Sequence, residues 1–126
     1  MKKLGMFINT ATLTFVGATN GPTWDARGSS SVQGTNDIVS KISGFLNVTA
    51  ISGVGATATI KFQYSYDNSN WVDIISGAFT ASTTTGAKDI NNIANNGGAA
   101  SFYRYVATVG GTTPSVTFTT TLYLQE

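Results

Sequence analysis

Residues 57–66 alternate without a break. Ala58, Ile60, Phe62, Tyr64 and Tyr66 share one face, and Thr57, Thr59, Lys61, Gln63 and Ser65 share the other. A side-chain period of two is the mark of a strand with one buried and one wet face. Asp67-Asn68-Ser69-Asn70 then supplies turn chemistry, and Trp71-Val72-Asp73-Ile74 opens a second short apolar run, so the pair reads as a hairpin. The same grammar recurs along the chain. Residues 4–16 predict one or two strands, with Leu13 and Phe15 on one face. Residues 37–52 predict a strand bent near Gly44, and Gly53-Val54-Gly55 a turn into the long strand. Further strands are predicted over 78–83, 87–93, 101–109 and 115–124. They are separated by Thr84-Thr85-Gly86, Asn95-Asn96-Gly97-Gly98 and Gly110-Gly111-Thr112-Thr113-Pro114. In the last two strands Tyr103, Tyr105, Ala107 and Val109 face one way, as do Val116, Phe118, Leu122 and Leu124. No helical period appears.

About eight strands separated by turn residues predict an all-β fold, an antiparallel β-sandwich of jelly-roll-like type, as one domain over residues 1–126. Its inter-sheet core should draw on Ile60, Phe62, Tyr64, Phe118 and Leu122, with Val106 or its neighbours Tyr105 and Ala107.

Two segments stand apart from the alternation. Residues 17–36 are rich in Gly and Ser and read as a long loop, of a length that is usually functional or mobile. Trp24 within it either plugs one end of the sandwich or anchors a partner; Trp71, at the start of a short strand, should be largely buried. Residues 1–20 faintly imitate a signal peptide, with Lys2 and Lys3 before a partly apolar stretch. Asn9, Thr10, Thr12 and Thr14 interrupt that stretch, which favours a first strand. Residues 1–9 are either the domain's own edge strand or an arm that adds to a partner. In the second case Leu4, Met6, Phe7 and Ile8 would make the contacts, joined by Trp24 and Arg27, residue types enriched at interface hot spots.

Composition narrows the chemistry. Histidine and cysteine are absent, which removes the usual general base, the commonest metal ligands, any thiol nucleophile and any disulfide. Seven Lys and Arg oppose six Asp and Glu without a basic stripe, so no nucleic-acid partner is expected. No run approaches the roughly 20 apolar residues of a membrane helix, and no membrane partner is expected. Charged residues make up only 10% of the chain, against about 25% in ordinary domains. Thr, at 20 residues, fills much of the polar surface. A neutral hydroxyl surface can be covered by another protein without burying charge.

Candidate sites are weak. Asp67, Ser69 and Asp73 resemble a short calcium loop in composition, but no Glu closes it, and an Asx-rich turn explains the same residues. Asp25, Asp37, Asp67, Asp73 and Asp89 are scattered, with no carboxylate pair for glycoside chemistry. No catalytic residue, metal or cofactor is expected. Tyr64, Tyr66, Trp71, Tyr103 and Tyr105 could stack on sugar rings, although the tyrosines lie on the apolar faces of their strands. Arg104 faces the other way and should stack on a neighbouring aromatic or pair with an Asp across strands.

With FQYSYDNSNWVDI at 62–74 and FYRYVATVGGTTPSVTFTTTLYL at 102–124, the chain resembles small accessory proteins of tailed-bacteriophage virions. The resemblance covers roughly the last two-thirds of the sequence. It implies a non-enzymatic structural protein that decorates or cements the capsid, with the major capsid protein as partner. It also implies a homo-oligomer, a trimer in particular, on the capsid surface of a particle assembled in the host cytoplasm. Similar patterns occur in sugar-binding sandwiches, so a carbohydrate-binding module or a tail- or fibre-associated domain is the alternative.

Overall fold

The structure, a computed structural model, describes residues 3–26 and 39–125. They form seven strands, all paired antiparallel, with no α-helix among the described residues. The strands are β1 (Lys3–Leu13), β2 (Gly17–Asn20), β3 (Trp24–Asp25), β4 (Lys41–Ser65), β5 (Val72–Ala78), β6 (Gly86–Ala94) and β7 (Phe102–Gln125). The all-β expectation is met. The described strands number seven where about eight were expected, because two of them run on through segments that read as turns.

Two very long strands carry the fold. β4 has 25 residues and β7 has 24. They pair from Lys41↔Gln125 to Ser65↔Phe102. The far side of β7 is lined by β1, then β2, then β3, in one continuous direction from Lys3↔Gln125 to Asp25↔Phe102. The far side of β4 takes β6 along its first half and β5 along its second.

Neither long strand is straight. A straight strand would hold Gly44 and Phe62 about 60 Å apart, yet a Cβ at Gly44 would meet the Phe62 ring at 2.6 Å. Likewise Tyr105 and Phe118, both on β7, stack edge to face with centroids 5.6 Å apart. The sheet therefore folds across itself into two facing layers. One holds β1, β6, the first half of β4 and the second half of β7. The other holds β2, β3, β5 and the remaining halves.

The fold line is where two turns were expected. The segments 53–55 and 110–114 lie inside β4 and β7 and bend together, with Val54↔Thr112 and Thr57↔Gly110 still paired across them. Register shifts at Ser52/Val54 and Val54/Thr57 take up the mismatch. Gly53 (φ 112) and Gly111 (φ 109) adopt a backbone that L side chains rarely reach. They also let the strands close: a Cβ on Gly53 would sit 2.8 Å from Pro114 Cα, and one on Gly111 would sit 2.8 Å from Ala56 Cα.

Other expectations are corrected. Within the segment read as a long loop, residues 17–20 and 24–25 form β2 and β3 on the edge of β7; residues 27–36 of that loop, with Arg27, and Asp37 at the start of the predicted strand 37–52, lie outside the described residues. Residues 3–13 are not a free arm but the domain's own strand. No strand spans 78–83: β5 ends at Ala78, and Ser82 makes a single bridge to Ala58.

The core between the layers includes Ile60, Phe62, Ala107, Phe118 and Leu122, each 0% exposed, with Tyr64 and Tyr105 beside them. Tyr66, at the end of the same alternating face, has left the core and is exposed. Val106 is buried too, but by parity it lies on the outer face of β7, where its ladder neighbours are Asn20 and Lys61.

Phe62→Ala should cost about 3–5 kcal/mol in urea unfolding, because the opposing Gly44 backbone cannot collapse into the space. Gly111→Ala should cost roughly 1–3 kcal/mol or more, since both its φ and the Ala56 backbone oppose a Cβ.

Candidate interaction surface

β1 divides the predicted contact residues by parity. Phe7 points inward and is half-buried, and its ring stacks on Trp24 at 5.5 Å with planes 5° apart. Trp24 is buried and also touches the Tyr105 ring at 5.9 Å. Tyr105 in turn donates its hydroxyl to Asn9 Oδ1 at 2.6 Å. Trp24 thus plugs the edge between the layers instead of standing free. Met6 and Ile8 point outward, 53% and 60% exposed. The Leu4 side chain and Arg27 lie outside the described residues.

The outward side chains of the first layer form rows set by register. One row runs Ile8, Thr121, Phe45, Asp89. The next in one direction holds Met6, Tyr123 and Ser43; the next in the other holds Thr10, Thr119, Asn47 and Ala87. Thr10 and Thr119 hydroxyls bond at 2.7 Å, and Thr12 and Thr117 at 2.9 Å. β-branched threonines suit this pleated face and satisfy one another across it. Thr121 is only 4% exposed although it points outward between Ile8 and Phe45. Within this face the described charges are Lys41 and Asp89, both at its margin. Sequence reasoning missed Phe45 because Gly44 beside it was read only as a bend. Gly44 in fact keeps its place in the alternation, and the residues flanking it point outward.

The outer face of the second layer is of another kind. Arg104 Nε donates to Gln63 Oε1 at 2.8 Å, and Gln63 Nε2 donates to Asp73 Oδ1 at 2.8 Å. Lys61 Nζ reaches Asp73 Oδ2 at 3.0 Å. The Arg104 guanidinium also lies 4.2 Å over the Trp71 ring. The expected aromatic stacking of Arg104 is present. Trp71, expected to be largely buried, is only half-buried, because it lies outside the core under this guanidinium. The hydrogen bond from Gln63, then the Lys61 ammonium, hold the Asp73 carboxyl below its ordinary value of 3.8.

The Asp67 loop is an Asx turn. Asp67 Oδ1 accepts from the N–H groups of Ser69 (2.9 Å) and Asn70 (2.8 Å), and Oδ2 accepts from the Asn70 amide (2.7 Å). These bonds, led by that from the Asn70 backbone, hold its carboxyl well below the usual range. Both oxygens thus serve the turn, which accounts for the sequence without calcium. Among the described residues no three acidic side chains converge on a metal position. Of the five aromatics considered for sugar stacking, Tyr64, Tyr103 and Tyr105 are buried. Tyr103 accepts from Asn95 Nδ2 at 3.0 Å, and burial pushes its hydroxyl up to about 12. Tyr66 and Trp71 remain accessible, and one face of Trp71 carries Arg104.

Compared with known proteins, the chain matches no family model, and no curated protein matches its sequence.

The Asp73 contribution to stability has a defined sign. Its folded value is depressed, so the contribution is complete above the unfolded value of 3.8 and fades as pH falls through the folded one. The stability gap between the wild type and Asp73→Asn should be flat at neutral pH and shrink in acid below that value, as read by denaturant midpoints. Trp24→Ala should cost about 3–5 kcal/mol, because it removes the ring that ties β1 to the second layer.

Proposed function

We propose that the chain is a structural virion protein of a tailed bacteriophage, one that decorates or cements the capsid by binding the lattice of its major capsid protein. The observation that carries this reading is the outer face of the first layer. It is apolar at Met6, Ile8 and Phe45, hydroxyl-bearing along the threonine rows, and its described charges, Lys41 and Asp89, lie at the margin. Covering such a face with protein removes apolar area from water and strips few charges of their hydration. The sequence resemblance over 62–74 and 102–124 points the same way. The mechanism is mass action: a protein that binds the assembled lattice but not its dissociated subunits stabilises the lattice by the free energy of that binding. No step of catalysis and no cofactor enters. The site of action is the outer surface of the particle.

The test is co-sedimentation with particles of the phage that encodes the chain, using wild type and Phe45→Glu. Phe45 is exposed at the centre of the face, so the variant should keep its melting temperature. It should lose at least about tenfold in affinity, because a carboxylate would then have to be desolvated on binding. Particles that neither contain nor bind the wild-type chain would sink the reading. A sugar-binding module would instead retain an immobilised glycan, with Tyr66→Ala, not Phe45→Glu, abolishing retention.

A further inference from the structure

We infer that β1 pairs edge to edge with the β1 of a second copy, antiparallel across a twofold axis centred on Asn9. Among the described strands β1 bonds β7 on one side and has no strand on the other. An open edge offers a row of unpaired N–H and C=O groups, and proteins usually blunt it. The other edges of this sheet are blunted. β5 has only 7 residues and jumps register between Gln63↔Asp73 and Lys61↔Ala78. β6 is broken by a register shift opposite Ile42/Gly44, has Asn92 at φ 51 and carries Lys88 and Asp89. β2 has 4 residues and stops short of Pro22. β1 shows such devices only at its start, where Lys3 precedes a register shift to Gly5. Its register is unbroken from Gly5 to Leu13, and no proline or charged residue occurs from Leu4 to Gly21.

The strand is complementary to itself. With Asn9 opposite Asn9 of the second copy, Phe7 falls opposite Ala11 and Gly5 opposite Leu13 on the inner face. On the outer face Ile8 falls opposite Thr10 and Met6 opposite Thr12. Every large side chain meets a small or medium one, and no like charges meet. An unrelated partner strand would have no reason to match this spacing, whereas a second copy matches it by symmetry. Such an isologous contact closes as a dimer and does not propagate into fibres. The inference stands apart from the capsid reading: the dimer would form in free solution.

Sedimentation velocity from micromolar to millimolar chain tests it. The expected species has twice the 13.1 kDa mass of one chain. Ile8→Lys sets two ammonium groups across the axis and should weaken the dimer at least about tenfold, with the melting temperature of the dilute monomer unchanged. The sequence has no cysteine, so register can be read by cross-linking. Ile8→Cys with Thr10→Cys should give a dimer on a non-reducing gel, because opposed strand positions meet the Cα spacing of a disulfide. Ile8→Cys with Thr12→Cys should not. A monomer throughout, a trimer, or a dimer indifferent to Ile8→Lys and to cysteine register would each overturn the proposal.

Discussion

Everything in this fold depends on β4 and β7 bending at the same place. Two strands joined by a ladder cannot bend independently, because a bend in one alone would strip the other of its backbone partners. The chain meets this constraint with Gly53 and Gly55 in β4 set against Gly111 and Thr113 in β7, all at positive φ. The Cβ atoms missing at Gly53 and Gly111 are the ones that would strike the opposite backbone. The third path, β1 to β3, breaks at 14–16 beside the same line. Once the three paths fold there, Phe62 can close over Gly44, and Tyr105 over Phe118. The inter-layer core is therefore a consequence of the corner, not of separate sheets docking.

This explains which parts of the fold were legible in the sequence. A period of two survives wherever one face is buried, so the faces of 57–65 and 115–124 could be read residue by residue. Glycine-rich segments were ambiguous, because a turn that reverses the chain and a bend that keeps its ladder need the same positive φ. Gly53-Val54-Gly55 and the Gly110–Pro114 segment gave the signal of turns and are bends. β2 and β3 were hidden for a different reason. They are too short to show alternation, and their place is set by β7 alongside them, not by their own residues. Trp71 was misjudged because its burial depends on Arg104, more than thirty residues away in sequence and on β7, the strand beyond β4 in the same layer.

The two outer faces divide the chain's few charges between them. On the second layer Lys61, Asp73 and Arg104 are tied through Gln63 into one ladder. Exposed pairs of this kind add little to stability. Their effect on the surface is larger: they leave the first layer's face nearly uncharged, with threonine hydroxyls bonded to one another and with Ile8 and Phe45 flanking Thr121. A protein with so few charges keeps an apolar row of this sort at some risk of association. That risk is reasonable where the row has a protein to cover it, which is why this face and not the aromatic residues carries the functional reading.

The edge strand is held before any partner arrives. Phe7 stacks on Trp24, Trp24 packs on Tyr105, and Tyr105 bonds Asn9, so two alternate residues in the middle of β1 are fixed to the second layer. This arrangement is what separates β1 from a flexible arm. An arm would lose backbone freedom on binding, about 1–2 kcal/mol for each residue ordered. A strand already in register on β7 loses almost none, and its outward Met6 and Ile8 are presented at fixed spacing. In the proposed contacts the inward residues would set the cost of association and the outward ones its specificity. Both roles follow from the simple alternation of one short sequence, GMFINTATL.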